Sequence, residues 1–263
     1  MFVFTLLISR LVPAALGLSL FLILGRFGYD WFAPRSRVLA RVLFASVLGL
    51  GGLILLPYLL RTGVLLGAEL AFEKDKWPDA NGRFVLYRRL GGRTSETLNL
   101  DWASSLINMR RWREAETVLV SGVRRTPRGV DAYPRTILLL GMCRYFQGRF
   151  DESEKAFRAV CSGSNETVCH YFLARMADRR GDASGAIEGY RRSLRQTPQF
   201  FPAVYHSIRL LLASGDRSGA RAVFQQFVGT GGVGDAPETA SLGRAIEAGG
   251  GELPDREFFL IQN

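Results

Sequence analysis

A small residue followed four positions later by a large apolar one recurs five times in phase, as Ala80/Phe84, Ala115/Leu119, Ser153/Phe157, Ala186/Tyr190 and Ala220/Phe224. The steps between successive pairs are 35, 38, 33 and 34 residues. Twelve positions before each pair stands a further small residue, Ala68, Ala103, Gly141 and Ala174 in the first four units, with Ile208 in the fifth. A fixed period near 34 residues marks stacked helical hairpins, because chance must reproduce both the period and the pattern. Each hairpin leaves an apolar face that only its neighbour can cover. The chain is therefore read as all-α, and as a binding surface before anything else.

The residue types follow from packing. Small side chains let the two helices of a hairpin approach closely, and the large residue fills the space toward the next unit. Gly148, Gly181 and Gly215 fall at the turn between helices, where a left-handed backbone is accessible to glycine. Asp151, Asp182 and Asp216 stand at or just before the second helix and are expected to cap its free amides. Pro127 and Pro198 are expected to stop the preceding helices. The repeats occupy residues 61–230. In residues 231–263 a glycine-rich linker precedes a helix over Pro237 to Ala248, with Asp235 a candidate cap, that covers the open end of the array. The tail beyond Gly251 is expected to be loosely held, with Phe258, Phe259, Leu260 and Ile261 available to dock elsewhere.

Residues 1–60 read differently. Phe2 to Leu24 is apolar except for Arg10, and Val42 to Leu60 carries no charge. Each is long enough to cross a hydrocarbon core, which needs ~20 helical residues, so two transmembrane helices are expected. Pro13 and Pro57 are placed near helix ends. Tyr29, Trp31 and Phe32 in the short connecting loop suit the headgroup zone. Basic residues balance on the two sides, so charge does not orient the hairpin. The odd number of cysteines, Cys143, Cys161 and Cys169, without a CxxC motif favours a reducing compartment and a cytoplasmic repeat domain, although Cys161 and Cys169 could bridge if exported.

The net charge is +10, of which residues 1–60 carry five arginines against one aspartate, or +4. Only Lys74, Lys76 and Lys155 are lysines among 34 basic residues, a bias that fits a GC-rich genome as well as recognition chemistry. No nucleophile, base and orienting group can be assembled, so no catalytic residue is assigned. Cys161, Cys169 and His170 lack zinc-finger spacing, His170 and His206 fall at different repeat phases, and no metal or cofactor is expected.

These residues resemble tetratricopeptide repeats. The second unit matches at Trp102-Ala103, Leu106, Ala115, Leu119 and Pro127, and the fourth at Leu173-Ala174, Ala177, Gly181, Ala186, Tyr190 and Pro198. The resemblance implies a solenoid of about five hairpins whose first helices line a ligand groove. Carried onto this sequence, the groove positions are Asn108 with Ser104, Arg135, Tyr145, Tyr171, Arg175, Asp178, Arg179, Tyr205 and Arg209. Tyr171 over Tyr205 and Arg175 over Arg209 would form two ladders. Guanidinium groups fork onto carboxylates, so the implied ligand is an acidic or extended peptide segment of a protein partner. The alternative is a merely solvated arginine face. Two spans, a short loop and then repeats also resemble the PelE-type components of bacterial Pel exopolysaccharide machinery, and HemY-type proteins share the layout. That resemblance implies a two-pass protein of the bacterial inner membrane that gathers partner subunits. Polyanion or nucleic-acid binding through the basic groove, or assembly of another envelope complex, are the alternatives; nucleic acid is not the expected partner, since no recognised module is present.

Overall fold

The computed structural model describes residues 37–123, 134–161, 166–232, 237–248 and 253–258, together with Ser19, Leu22, Ile23, Arg26 and Phe27. The described residues are helices and their connections, without strands. The chain divides into two compact units, Met1–Met109 and Arg110–Asn263.

The first unit contains α1 (Arg37–Glu73), α2 (Trp77–Arg89) and α3 (Glu96–Asn108). At a rise of ~1.5 Å per residue, α1 is roughly 55 Å long. Up to residue 60 it exposes Val38, Val42, Leu53, Leu56, Leu59 and Leu60. Its last turns bury Leu65, Ala68 and Ala71 against Ala80, Phe84 and Leu98, with Phe72, Tyr87 and Trp102 packed around them. One helix thus runs without a break from an uncovered apolar surface into the first repeat, because nothing in its sequence stops it. Pro57, expected near a helix end, lies inside α1 instead. Its missing N–H forfeits one backbone hydrogen bond there. Trp102 donates from Nε1 to Asn81 Oδ1 at 2.8 Å, tying α3 to α2.

Among the described residues one stretch, Leu55–Glu73, is long and apolar enough to cross a membrane, against the two spans expected. Length and composition are all it offers, since Leu65, Ala68 and Ala71 belong to the buried side of the first hairpin. The expected span Phe2–Leu24 lies outside the described residues, apart from Ser19, Leu22 and Ile23, which are helical. Pro13, Tyr29, Trp31, Phe32, Pro127 and Asp235 also lie outside them.

The second unit contains α4 (Trp112–Val123), α5 (Pro134–Phe146), α6 (Phe150–Val160), α7 (Glu166–Arg179), α8 (Ala183–Gln196), α9 (Phe201–Ala213), α10 (Arg217–Gly229) and α11 (Pro237–Ala248). Helices packed in sequence order give three hairpins, α5/α6, α7/α8 and α9/α10. Each turns at a glycine with positive φ, Gly148 at 78°, Gly181 at 79° and Gly215 at 81°. The next amide in each case reaches back along the helix, Arg149 N to Arg144 O, Asp182 N to Ala177 O and Asp216 N to Leu211 O, which satisfies the helix-end carbonyls. Asp182 and Asp216 cap α8 and α10 by accepting from Gly185 N at 2.9 Å and Gly219 N at 2.8 Å. Asp151 does not cap. Arg149 occupies that position without a side-chain bond to the helix amides, and Asp151 sits in the first turn of α6, near the positive helix end.

The small-then-large pairs form the core. Ser153, Phe157, Ala186, Tyr190 and Ala220 are fully enclosed, and Phe157 stacks on Phe172 with centroids 4.9 Å apart. Phe224 is only half-buried, because it faces the terminal helix α11, near Gly243, and not a sixth hairpin. Arg217 donates to the carbonyl of Ile246 at 2.7 Å and fastens α11 to the array.

Gly189 lies at a close approach of α7 and α8. A Cβ at that position would lie 2.7 Å from the Ala174 Cβ and 3.2 Å from its Cα, so the backbones themselves would have to part. Gly189→Leu is expected to destabilise the second unit by about 1–3 kcal/mol through overpacking. A chemical-denaturation midpoint equal to the parent's would contradict this packing.

Candidate functional site

The first helices of the three hairpins, α5, α7 and α9, carry Tyr145, Arg175 with Arg179, and Tyr205 with Arg209. Because the repeat step here is 34 residues, Tyr171 and Arg175 fall in phase with Tyr205 and Arg209. Asp178 joins the two arginines: Arg175 donates to Asp178 Oδ2 at 3.1 Å, and Arg209 donates to the same oxygen. The face so formed holds three guanidiniums, of Arg175, Arg179 and Arg209, against the single carboxylate of Asp178, an excess of two positive charges.

Residues 253–258 lie across this face. Asp255 takes a forked pair of hydrogen bonds from Arg175, at 2.8 and 3.2 Å, and Glu257 accepts a third from the same guanidinium at 2.8 Å. Arg179 also donates to Glu257, while Tyr145 donates its hydroxyl to that carboxylate at 3.2 Å. Tyr205 Oη donates to the carbonyl of Pro254 at 2.8 Å. Phe258 enters an aromatic cage with centroids 5.4 Å from Tyr205, 5.5 Å from His206 and 5.9 Å from Phe201. Arg256 points away from the arginine row, with its guanidinium 5.7 Å from the Tyr205 ring centre and 3.5 Å from Glu238. Two carboxylates therefore cancel the excess of two charges, and residues 253–258 of the tail expected to be loosely held are docked. Arg175 is 0% exposed beneath it.

The electrostatics follow from this enclosure. Burial alone would raise the Asp255 carboxyl, but the hydrogen bonds and charge of Arg175, with Arg209 beyond, hold it below the ordinary carboxylate range. Burial, reinforced by the charges of Arg175 and Arg209, pushes His206 down to about 3, so the ring is neutral. Asp178, His206 and Asp255 each bring one ligand atom to within 4.8 Å of the others, a spacing a divalent ion could bridge. Both carboxylates are already engaged by Arg175 and Arg209, so guanidinium supplies the positive charge that a metal would bring.

Tyr145, Arg175, Arg179, Tyr205 and Arg209 are brought together, and all but Arg209 touch residues 254–257 directly. Tyr171 is not on the surface. It is 1% exposed, packed against Phe200 at 5.5 Å and Tyr190 at 5.9 Å, so of the two tyrosines of the ladder, both buried, only Tyr205 bonds the tail. Arg135 is exposed in the first turn of α5, and Asn108 is half-buried at the end of α3 in the first unit; the cluster forms without them. His170 lies by Cys161, with Sγ to Nδ1 at 3.6 Å, and the three cysteines are free thiols, so Cys161 and Cys169 are not bridged. Cys143 is buried and its thiol is pushed up to about 12 by that burial and by nearby Glu116.

Sequence reasoning named Phe258 as able to dock, but missed Pro254, Asp255 and Glu257 and the place where the tail docks. Their signal was present as two acids and an aromatic in a short tail of a chain rich in arginine.

Residues 100–166 match the sequence profile of the family described as Tetratricopeptide repeat. No curated protein matches the chain in sequence. Among solved structures, the crystal structure of MamA is similar over 61% of this chain and 92% of that one, at 15% identity and a TM-score of 0.50. A second crystal structure of MamA protein covers 64% of this chain and 90% of that one, at 15% identity and a TM-score of 0.51. Phase, turns and fold together make this an all-helical repeat protein with tetratricopeptide-like hairpins.

Proposed function

We propose that the chain is a membrane-anchored adaptor, in which two N-terminal spans hold the repeats at the bacterial inner membrane and the face of α5, α7 and α9 recruits a partner protein through an acidic segment. The observation that carries this reading is Arg175, enclosed at the floor of the face and holding two carboxylates at once. An isolated buried cation is costly and is retained where its partners complete it. The exposed leucines of α1 between residues 53 and 60 support the anchor, since a bilayer would cover them. An envelope complex, including one for exopolysaccharide synthesis or export, suits such an adaptor, and tetratricopeptide-like folds commonly bind proteins.

The test of recruitment compares detergent-solubilised full-length chain with the Arg175→Glu, Arg209→Glu double variant against an acidic peptide, heparin and single-stranded DNA. The adaptor reading expects the double variant to lose peptide binding at least tenfold while polyanion binding barely changes. A parallel fall in all three supports charge-driven polyanion binding instead. For the anchor, alkaline carbonate washing of membranes is expected to leave the chain in the pellet. With Cys161→Ser, and with Cys143 and Cys169 buried, a thiol introduced as Arg221→Cys in exposed α10 is expected to label only in opened cells. Labelling in intact cells would place the repeats outside.

A further inference from the structure

Resting on the adaptor reading, we propose that residues 253–258 are a built-in competitor for the partner, and that their pattern defines the partner's own segment: two carboxylates two residues apart, followed directly by an aromatic residue. Three observations converge. The carboxylates of Asp255 and Glu257 share one guanidinium, which fixes their spacing. The residue between them, Arg256, is turned toward Glu238 and the Tyr205 ring, so it takes no part in the carboxylate contacts to the arginine row. Phe258 fills the cage of Phe201, Tyr205 and His206, which a charged or small residue would leave open.

The face is therefore a recognition site already satisfied in cis. Tyr205 binds a main-chain carbonyl, a contact any peptide can supply, whereas Arg175, Arg179 and Tyr145 read side-chain carboxylates. A partner bearing the same pattern reproduces the tail's contacts to Tyr145, Arg175, Arg179, Tyr205 and the aromatic cage, and displaces it. The tail sets the threshold for this exchange. Four residues separate Ala248 from Leu253, and a short tether holds its end at an effective concentration on the order of 1 mM. For a segment that binds in trans with a Kd of ~10 μM, the tail then weakens apparent partner affinity about 100-fold, the ratio of those two concentrations.

The experiment follows a fluorescein-labelled peptide of sequence Leu-Pro-Asp-Arg-Glu-Phe by anisotropy. It is titrated with the full-length chain in detergent, a chain ending at Glu252, and the full-length Asp255→Asn, Glu257→Gln variant. The two modified chains are expected to bind about 100-fold more tightly than the parent. A peptide with Asn and Gln in place of its acids is expected to lose most of that gain, as is Arg175→Glu in either modified chain. Equal affinity for parent and modified chains overturns self-competition while leaving the adaptor reading intact. Failure of both modified chains to bind the peptide, with native helical circular dichroism, sinks the adaptor reading as well. If truncation disturbs folding, the double point variant carries the test. Light scattering is expected to show the same protein mass in the micelle for parent and truncated chains; a dimer that dissolves on truncation would overturn occupation in cis.

Discussion

Arg175→Glu is expected to free the tail completely and to lower the stability of the second unit by about 3–5 kcal/mol, the usual cost of breaking a buried charge network from one side. The guanidinium serves Asp178, Asp255 and Glu257 together and is fully enclosed. After substitution the face holds Arg179 and Arg209 against Asp178 and the introduced carboxylate, so its excess of two positive charges falls to none. The tail carboxylates then have nothing to neutralise. Asp255 and Glu257 are half-exposed already and escape to water at little cost, which limits their part of the penalty. Asp178 cannot escape: it is 12% exposed on the helix that carries the new glutamate three residues away, with only Arg209 to offset two charges. Most of the lost stability should arise there. Arg175→Met separates the two contributions, because it also frees the tail but adds no like charge, and a loss smaller than that of Arg175→Glu is expected. Hydrogen exchange at residues 253–258 reports release, and urea unfolding reports stability. Retained protection of the tail in Arg175→Glu would contradict the network.

The fold was largely legible because periodicity specifies it. Once the small-then-large pairs fixed the phase, the turn glycines, the Asp182 and Asp216 caps and the placing of Arg175 and Arg209 at the same repeat phase followed without further information. Phase places a residue around a helix but gives no depth. Tyr171 shares the face of Arg175 one turn earlier, yet Phe200 and Tyr190 close over it, and those contacts are specific to these side chains. The passage through position 60 was illegible for another reason. An apolar helix that faces lipid and one that faces a neighbouring hairpin have the same composition, and α1 passes from an uncovered apolar surface to a packed one without a cap between them. The docking of the tail was least legible of all. Arg175 and Asp255 are 80 positions apart and belong to no common period, so only charge complementarity connected them.

Acidification from pH 7 to pH 5 is expected to cost the second unit about 2 kcal/mol, mostly through one imidazole. His206 is fully buried, and in the folded chain its protonation is pushed down to about 3 from an ordinary value near 6.5. The sign follows from linkage. The unfolded chain takes up a proton at this histidine as pH falls below about 6.5, the native chain does not until about 3, and stability present above 6.5 is lost progressively across that interval. At ~1.4 kcal/mol per pH unit, roughly 1.5 units below 6.5 give the stated figure. His170 is also depressed by burial and the charge of Arg192, and it adds a smaller slope of the same sign. Asp255 and Glu116 are held below the ordinary carboxylate range too, but they stay ionised in both states until lower pH, and their losses begin only beneath about 4–5. The groups that face His206 are the charges of Arg175 and Arg209, the carboxylate of Asp255, whose Oδ1 is 3.7 Å from Nδ1, and the rings of Tyr171, Tyr190, Tyr205 and Phe258. A proton placed there meets two guanidiniums and a buried site that the Asp255 carboxylate only partly offsets, and it is relieved further when Phe258 lifts away to admit water. The tail should therefore leave before the hairpins melt. The protection of residues 253–258 against hydrogen exchange, taken relative to the intrinsic rate at each pH, is expected to fall between about pH 6.5 and 5 while α7 and α9 remain protected. His206→Phe should remove most of the stability slope in that interval and leave the steeper loss below about pH 4; a slope unchanged in that variant would assign the acid response to other groups.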